Sequence, residues 1–141
     1  MVLLTAGQAG DSPMFLPLMR HLSVPCLAGG PARTRPNRVR GDKAYSSRAI
    51  RTHLRNRKIG AVIPEPADQV GHRKRRGSRG GRPPAFDEAN YRGRNVIERY
   101  FNQLKHWRGI ATRFDKLATV YRAAIVLHAV ITWTTTLSDM T

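Results

Sequence analysis

The chain has 141 residues, with 25 Lys and Arg against nine Asp and Glu, which gives a formal net charge of +16. That length suits one domain with a modest core, and the single cysteine, Cys26, excludes an intrachain disulfide framework or a Cys-based zinc site. The positive charge favours a polyanionic partner, with nucleic acid the first candidate and an anionic membrane surface the second. We recognise no secretory signal and expect a reducing, cytoplasmic setting.

The first predicted elements are a short strand and a helix. Val2 to Thr5 is an apolar run that we expect to form a strand, followed by a turn over Gly7 to Gly10. Ser12 is a natural N-cap and Pro13 a natural first helical residue, which predicts a helix to about His21. The buried side of this helix is expected to hold Phe15, Leu18, Met19 and Leu22.

A strand–helix–strand pattern follows a Gly/Pro/Arg-rich loop. It predicts a strand ending at or near Asp42, a helix capped by Ser46 or Ser47 and running to about Arg57, and a strand over Ile59 to Ile63. The inward side of the helix is expected to hold Ala49, Ile50 and Leu54. Short connections of this kind are typical of a βαβ unit, so we expect a parallel strand pair in an α/β fold.

The segment from Gln69 to Ala85 is too basic and too rich in Gly and Pro to form a core element, and we expect a flexible loop there. Six of the eleven residues from His72 to Arg82 are cations. A disordered surface loop explains them, but clustered cations also give sequence-independent affinity for DNA through counterion release. The candidate DNA contacts are Arg73, Lys74, Arg75, Arg76, Arg79 and Arg82.

The next helix is expected to begin at or near Asp87 and to end by Gly109, with Gly93 as the candidate break point. At helical spacing, Tyr91, Arg94, Glu98 and Lys105 fall on or beside one narrow stripe. The neighbouring arc is apolar and is formed by Val96, Ile97, Tyr100, Phe101, Leu104 and Trp107. A plain amphipathic helix with an i, i+4 Arg–Glu pair also explains this pattern.

The last predicted element is a helix over Leu117 to Leu137. Its 21 residues approach the length of a membrane span, but Arg122 and His128 interrupt it. We therefore expect a terminal helix packed against the rest of the domain and no membrane partner. The five histidines show no metal-ligand spacing and are expected to be surface, loop or packing residues. Trp107 is expected to pack in the core.

Asp42 occupies a strand end, where α/β sheets place reactive groups, although a turn or N-cap Asp is the ordinary alternative. Its context, Asp42-Lys43-Ala44-Tyr45, resembles the D-K-[AG]-Y element of DDE transposases from bacterial insertion sequences. The Tyr91–Lys105 stripe resembles the Y-R-E-K motif of the same enzymes. Further matching segments occur in the family's order: Thr5 to Asp11, Ala61 to Pro64, the Arg-rich segment and Arg108 to Lys116.

This resemblance implies a ribonuclease-H-like catalytic domain that cleaves a DNA phosphodiester and transfers the freed strand to target DNA. It implies that Asp42 and Glu98 are catalytic carboxylates that hold Mg²⁺ or Mn²⁺, ions that prefer carboxylate oxygens. It also implies that Arg94 and Lys105 orient Glu98 and contact phosphates, and that Tyr91 lies near the DNA.

The family also has a first Asp on a strand upstream of the part that residues 1–11 resemble, and Asp11 reads as a cap rather than a substitute. We therefore expect the C-terminal part of a transposase catalytic domain: a partial ribonuclease-H-like α/β fold whose short mixed or parallel sheet lacks its first strands.

Such a chain is expected to be inactive or nearly so alone, with a homodimer or full-length transposase as its partner on the bacterial nucleoid. The alternative is a non-catalytic basic DNA-binding fragment, or an inhibitor of the full-length enzyme. An RNA-associated protein fits the charge but lacks RNP-type aromatic motifs.

Overall fold

A computed structural model of the chain describes residues 2–6, 9–26, 28–112, 114 and 117–138. The chain divides into two units. The sheet unit is Gly10–Arg94, and the helical unit combines Met1–Ala9 with Asn95–Thr141. The strands are β1 (Arg38–Arg40) and β2 (Gly60–Val62); the helices are α1 (Phe15–Arg20), α2 (Arg48–Asn56), α3 (Ala67–Arg75), α4 (Glu88–Arg92), α5 (Asn95–His106), α6 (Arg108–Ala111) and α7 (Ala118–Ser138).

The centre of the sheet unit is a parallel strand pair with one crossover helix. Strands β1 and β2 pair in parallel, with Arg38 opposite Gly60 and Arg40 opposite Val62. Helix α2 makes the crossover and begins at Ser47, whose hydroxyl oxygen accepts a hydrogen bond from the Ile50 amide at 3.2 Å. The predicted βαβ unit and the α/β class are confirmed, and the arrangement is consistent with a partial ribonuclease-H-like fold.

The core of the sheet unit lies between α1, α2 and the strands. Its buried members are Phe15, Met19, Ile50, Leu54, Ile59 and Ile63. The Tyr45 ring meets the edge of Phe15 at a centroid distance of 5.8 Å, which joins the turn after β1 to this core. Two predicted inward residues are wrong, because Leu18 and Ala49 are exposed on the outer sides of their helices.

The N-terminal predictions need two corrections. No strand forms over Val2 to Thr5, since the described part of the helical unit offers no strand to complete its backbone hydrogen bonds. Ser12 does not cap a helix but opens a short 3₁₀ turn, Ser12–Met14, and donates its hydroxyl to the Ala44 carbonyl. Residues 7 and 8 of the predicted turn lie outside the described residues.

The predicted loop over Gln69 to Ala85 is wrong for its first half. Helix α3 occupies Ala67–Arg75 and a 3₁₀ turn follows over Gly77–Gly80. A basic segment can be helical here because its cations lie in the last turn, where they interact favourably with the helix dipole. Gly80 closes the turn against α3, because a Cβ there would clash with the Arg73 carbonyl oxygen.

The predicted long helix after Asp87 is three helices. Asp87 caps α4 as expected, accepting a hydrogen bond from the Asn90 amide at 2.9 Å, and the chain breaks at Gly93 before α5 begins at Asn95. Gly109 does not end the helix but lies inside α6. The predicted stripe therefore does not run along one helix, because Tyr91 precedes the break and Glu98 follows it.

Within the helical unit, α6 packs on both α5 and α7, and the buried side chains are Leu104, Ile110 and His128. Helix α7, Ala118–Ser138, lies close to the predicted Leu117 to Leu137, but one of its sides is exposed where packing was expected. Leu127 is 55% exposed and Trp133 71% exposed. The predicted apolar arc of α5 is similarly open, because Val96, Ile97 and Phe101 are all exposed. Among the described residues, no helix has the length and apolar character of a membrane span.

Substitution of Leu54 tests the core of the sheet unit. The Leu54 side chain is fully buried between α2 and the strands, so Leu54→Ala should lower the free energy of unfolding by about 2–5 kcal/mol through reduced burial and a residual cavity. Urea denaturation followed by far-UV circular dichroism measures the change. Leu127→Ala on the exposed side of α7 is the control and should cost less than about 0.5 kcal/mol. Equal losses would show that this core does not stabilise the fold.

Candidate functional site

Asp42 lies two residues beyond β1, at the edge of the sheet where both strands end. Its backbone is extended, and its Oδ1 accepts a hydrogen bond from the Ala44 amide at 2.9 Å, which caps the 3₁₀ turn Lys43–Tyr45. The side chain is half-buried. The N-cap role offered as the ordinary alternative is thus present. It leaves the carboxylate beyond the end of β1, the strand-end position that the sequence pattern predicted.

Tyr45 ends this turn, and the nearby carboxylates affect the pKa of its phenol. Burial raises the pKa of the Tyr45 phenol above its ordinary value, and the negative charges of Asp11 and then Asp42 raise it further. Each of these causes acts by disfavouring the phenolate form. The Tyr45 phenol is therefore a natural reporter of the charge on Asp42.

A buried polar cluster holds the Asp42 turn against α2 and α3. Ser46 is 2% exposed; its hydroxyl donates to the Gln69 Oε1, and the Gln69 amide donates to the Ser46 carbonyl, both at 3.0 Å. The Arg51 guanidinium donates at 2.9 Å to the Ser46 hydroxyl oxygen and to the Ile63 carbonyl. Burial lowers the pKa of Arg51, while the charge of Glu65 raises it. Gln69 lies 23 residues from Ser46, and Ile63 lies 12 residues from Arg51, so no local sequence pattern predicts these two contacts.

The candidate DNA-binding cations of α3 and the following turn differ in what surrounds them. Arg73 is half-buried and forms a close ion pair with Glu65, so its charge is largely neutralised. Arg75 meets the His72 Nδ1 at 2.9 Å. The remaining predicted contacts are all exposed: Lys74, Arg76, Arg79 and Arg82. The segment therefore has solvent-facing cations, but Arg73 serves the fold through its ion pair with Glu65.

Helix α4 is tied to β1 by two arginines on one side of the strand. The Arg40 Nε donates to the Asn90 Oδ1 at 2.8 Å, and an Arg38 guanidinium nitrogen lies 3.8 Å from an Asp87 carboxylate oxygen. A Cβ at Gly93 would lie 2.9 Å from the Arg40 guanidinium carbon, so a larger residue there would require this flexible side chain to shift. The spacing of 38 and 40 could have indicated this shared face, because strand residues two apart point the same way.

Tyr91 and Arg94 lie on and just after this anchored helix. The Tyr91 ring packs against Phe86 at a centroid distance of 5.3 Å, and the Arg94 guanidinium carbon is 5.7 Å from the Tyr91 ring centroid. A cation over an aromatic ring is held by the ring quadrupole. The structure therefore brings these two predicted residues together within the sheet unit.

Glu98 and Lys105 lie on α5 in the helical unit, and both are exposed. They are seven residues apart, so they share one face about 10 Å apart along the axis. Glu98 falls in the first turn of α5, where the helix dipole favours a carboxylate. Because Asp42 and Glu98 belong to different units, the meeting of these two carboxylates stays a prediction.

The carboxylates of Asp42 and Glu98 fit a hard divalent cation chemically, since Mg²⁺ and Mn²⁺ prefer oxygen ligands. No group of three or more His, Cys, Asp or Glu comes together within the described ranges. The described residues thus supply single carboxylates of the right chemistry rather than a complete cluster.

Trp107 and His128 form an aromatic contact in the helical unit. His128 is 4% exposed and lies between Tyr100 and Trp107, with centroid distances of 5.3 and 5.1 Å. Packing is one of the three roles that the sequence left open for the histidines, and it fits this position. Trp107 is 36% exposed, so it lies at the edge of this core rather than inside it.

The sequence profile of the family described as "transposase DDE domain" matches residues 1–133. The chain belongs to the transposase DDE domain family. No curated protein and no solved structure matches it. Membership confirms the predicted family, and with it a role connected with DNA transposition.

As a transposase DDE domain, the chain belongs to proteins that act on DNA and generally use divalent metal ions. The identity of the ion and the roles of individual residues stay predictions. In the matching segment Arg108 to Lys116, residues 113, 115 and 116 lie outside the described residues, and residues 108–111 form α6.

Titration of Tyr45 tests its electrostatic link to Asp42. We expect the Tyr45 phenol to ionise above pH 10.0, and Asp42→Asn to lower its pKa by removing a negative charge. Because the folded-state pKa is raised, the contribution of Tyr45 to stability is full below pH 10.0 and is lost as the pH rises through the folded value. Phenolate absorbance, with Tyr45→Phe subtracted to isolate this residue, measures the shift.

Asp68→Asn, on exposed α3, serves as the control and should leave the Tyr45 titration unchanged. An unchanged titration in Asp42→Asn would show that the two side chains do not interact in solution.

Proposed function

We propose that this transposase domain takes part in metal-dependent phosphodiester hydrolysis and strand transfer at insertion-sequence ends. The observation that carries the proposal is the family match over residues 1–133, within which Asp42 follows a parallel strand and Glu98 lies in the first turn of a helix. Both positions are chemically suited to carboxylate ligands, at a sheet edge and in a first helical turn.

The proposed roles follow from the chemistry of each side chain. Asp42 and Glu98 would hold Mg²⁺ or Mn²⁺, which when bound polarises the phosphodiester and stabilises charge on the attacking and leaving oxygens. Arg94 and Lys105 would contact phosphates beside the scissile bond. Tyr91 would pack near the DNA and hold Arg94 through their ring contact. The α3 segment would supply sequence-independent affinity.

We further propose that these 141 residues alone have little or no transposase activity. The resemblance assigns only two of three metal-binding carboxylates to them, and loss of one ligand usually cripples such a site. The third would arrive with an Asp-bearing strand segment, in a longer chain or in full-length transposase acting in trans. The exposed apolar residues of α5, namely Val96, Ile97 and Phe101, support this, because contiguous apolar surface of this kind usually marks an interaction site.

A homodimer is the competing explanation of exposed apolar residues in the helical unit, and helix α7 supports it. On α7, one open side carries residues spaced alternately by three and four: Val120, Ala123, Leu127, Val130 and Thr134. This spacing is typical of a coiled-coil seam. Sedimentation equilibrium of the 141-residue chain separates the two, since a homodimer assembles without any added Asp-bearing chain.

We propose that the protein acts on nucleoid DNA in the bacterial cytoplasm, which its family and its single exposed Cys26 support. The alternative is a basic DNA-binding fragment without chemistry, or an inhibitor of full-length transposase. The net charge of +16 and the exposed cations of α3 support the DNA binding that this alternative requires. Metal binding separates the two proposals.

Substitution of the two carboxylates tests the metal site. Asp42→Asn and Glu98→Gln should each weaken Mn²⁺ binding by about tenfold or more, because each removes one charged oxygen ligand, while leaving DNA affinity unchanged. Calorimetric titration with Mn²⁺ measures the first effect and fluorescence anisotropy with a labelled duplex the second. Asp68→Asn and Glu88→Gln are matched controls on exposed helical sites.

If both site variants bound Mn²⁺ with wild-type affinity, the proposed metal site would be rejected. The alternative of a DNA-binding fragment without chemistry would then be favoured. Robust strand transfer by the purified 141-residue chain in Mn²⁺ would instead overturn the proposal that a third carboxylate is required.

Neutralising the α3 segment tests its proposed contact with DNA. A variant with Lys74, Arg75, Arg76 and Arg79 changed to Gln should reduce the slope of log Kobs against log salt by about 0.9 for each DNA phosphate that the protein no longer neutralises. Arg73 is kept, since removing it would leave the half-buried Glu65 unpaired. The charge-matched control changes four exposed arginines elsewhere: Arg48, Arg99, Arg108 and Arg122. Equal slopes in the two variants would indicate a general charge effect with no local binding surface.

A further inference from the structure

A second basic surface lies at the other edge of the sheet, where β1 and β2 begin. We infer that this surface binds a second DNA duplex, separate from the one at the Asp42 edge. Its exposed cations are Arg20, Arg35, Arg55 and Lys58, here called the N-edge quartet. The inference goes beyond the proposed function, which assigns DNA contacts only to the α3 segment and to the residues around Glu98.

Arg57 brings the quartet together. One guanidinium nitrogen donates to the Met19 carbonyl at 3.3 Å, next to Arg20, and the other donates to the Thr34 carbonyl at 2.8 Å, next to Arg35. Arg57 itself follows the last turn of α2, which places Arg55 and Lys58 beside it. Three separate segments of the sheet unit are thus joined at one point, and each carries an exposed cation.

Further backbone bonds fix the loop that carries Arg35. Val24 and Arg33 exchange backbone hydrogen bonds at 3.0 and 2.8 Å, and the Arg33 side chain donates to the Asn37 Oδ1 at 2.7 Å. Asn37 in turn accepts from the Gly60 amide at the start of β2. The loop is therefore attached to the strand ends, and binding there would require little further ordering of the backbone.

This edge is far from the Asp42 edge and lies in a part of the sequence that is poor in carboxylates. Helix α2 runs from Ser47 at one edge to Arg57 at the other, about 15 Å for ten residues. Between residues 12 and 64 the sequence has 11 Lys and Arg and a single carboxylate, Asp42. No described carboxylate lies within ion-pair distance of the quartet. Such uncompensated charge suits the phosphates of a duplex.

Lys58 gives an independent indication. Its φ of +54° is the left-handed conformation at the end of α2, which side chains disfavour and glycine adopts freely. Among the described residues it is the sole non-glycine in this region. The lysine at this position thus adds a cation to the edge at a cost in backbone strain that glycine would avoid.

The test is a bridging assay with the 141-residue chain. A biotinylated duplex is immobilised, and retention of a fluorescent duplex through the protein is measured. Wild type should bridge, and changing the quartet to Gln should reduce bridging by about tenfold while anisotropy still shows one bound duplex. The variant with Lys74, Arg75, Arg76 and Arg79 changed to Gln should also fail to bridge. The charge-matched variant at Arg48, Arg99, Arg108 and Arg122 should retain bridging.

The variant Lys58→Gly is a control for loss of bridging that is caused by unfolding. It should raise the urea midpoint by relieving the backbone, yet reduce bridging. If the quartet variant bridged two duplexes as well as the charge-matched variant does, the inference would be overturned. That result is expected if a protein dimer bridges the duplexes through one DNA-binding face on each subunit. Loss of binding to anionic phospholipid vesicles in the quartet variant, with DNA bridging intact, would assign the surface to a membrane instead and also overturn it.

Discussion

The parallel pairing of β1 with β2 is the constraint on which the sheet unit depends. Two parallel strands require a crossover, and α2 supplies it by burying Ile50 and Leu54 against the strands. The crossover fixes direction as well as packing. It places the turn with Asp42 where the strands end and Arg57 where they begin, so two chemically different edges arise from one packing arrangement.

Polar contacts then position the rest of the unit on this frame. Gln69 and Arg51 join the Asp42 turn to α3 and α2 through the buried Ser46, and Arg40 joins β1 to α4. Burying such polar groups costs free energy unless they are hydrogen-bonded. The arrangement in which all of them have partners is therefore favoured over the alternatives. Tyr91 and Arg94 inherit their position from this arrangement, because they lie on and next to α4.

Carboxylates are scarce in this chain, and several serve the fold. Asp42 and Asp87 cap helical turns, and Glu65 pairs with Arg73. A structural role does not exclude a chemical one, since a cap and a metal ligand both need the ionised carboxylate. Cations divide differently: Arg51, Arg57 and Arg73 hold segments together, whereas the exposed cations of α3 and the N-edge quartet leave their charge available to phosphates.

Sequence alone determined the elements whose signals are local. A cap at Ser46 or Ser47, a helix start at or near Asp87, a break near Gly93 and the parallel strand pair were all predictable, because capping, glycine and apolar periodicity act within a few residues. The family was predictable from the ordered D-K-A-Y and Y-R-E-K elements. Roles of Asp42 and Glu98 were proposed on that basis and remain proposals.

Tertiary structure decided what depends on partners distant in the chain. It made α3 a helix with Arg73 engaged by Glu65, left Val2 to Thr5 without a strand, and left one side of α7 open to solvent. It also gathered the N-edge quartet from three segments around Arg57. Burial and strand pairing depend on which other segments lie close in space. The periodicity of one helix or strand does not show whether a packing surface or a pairing strand is present nearby.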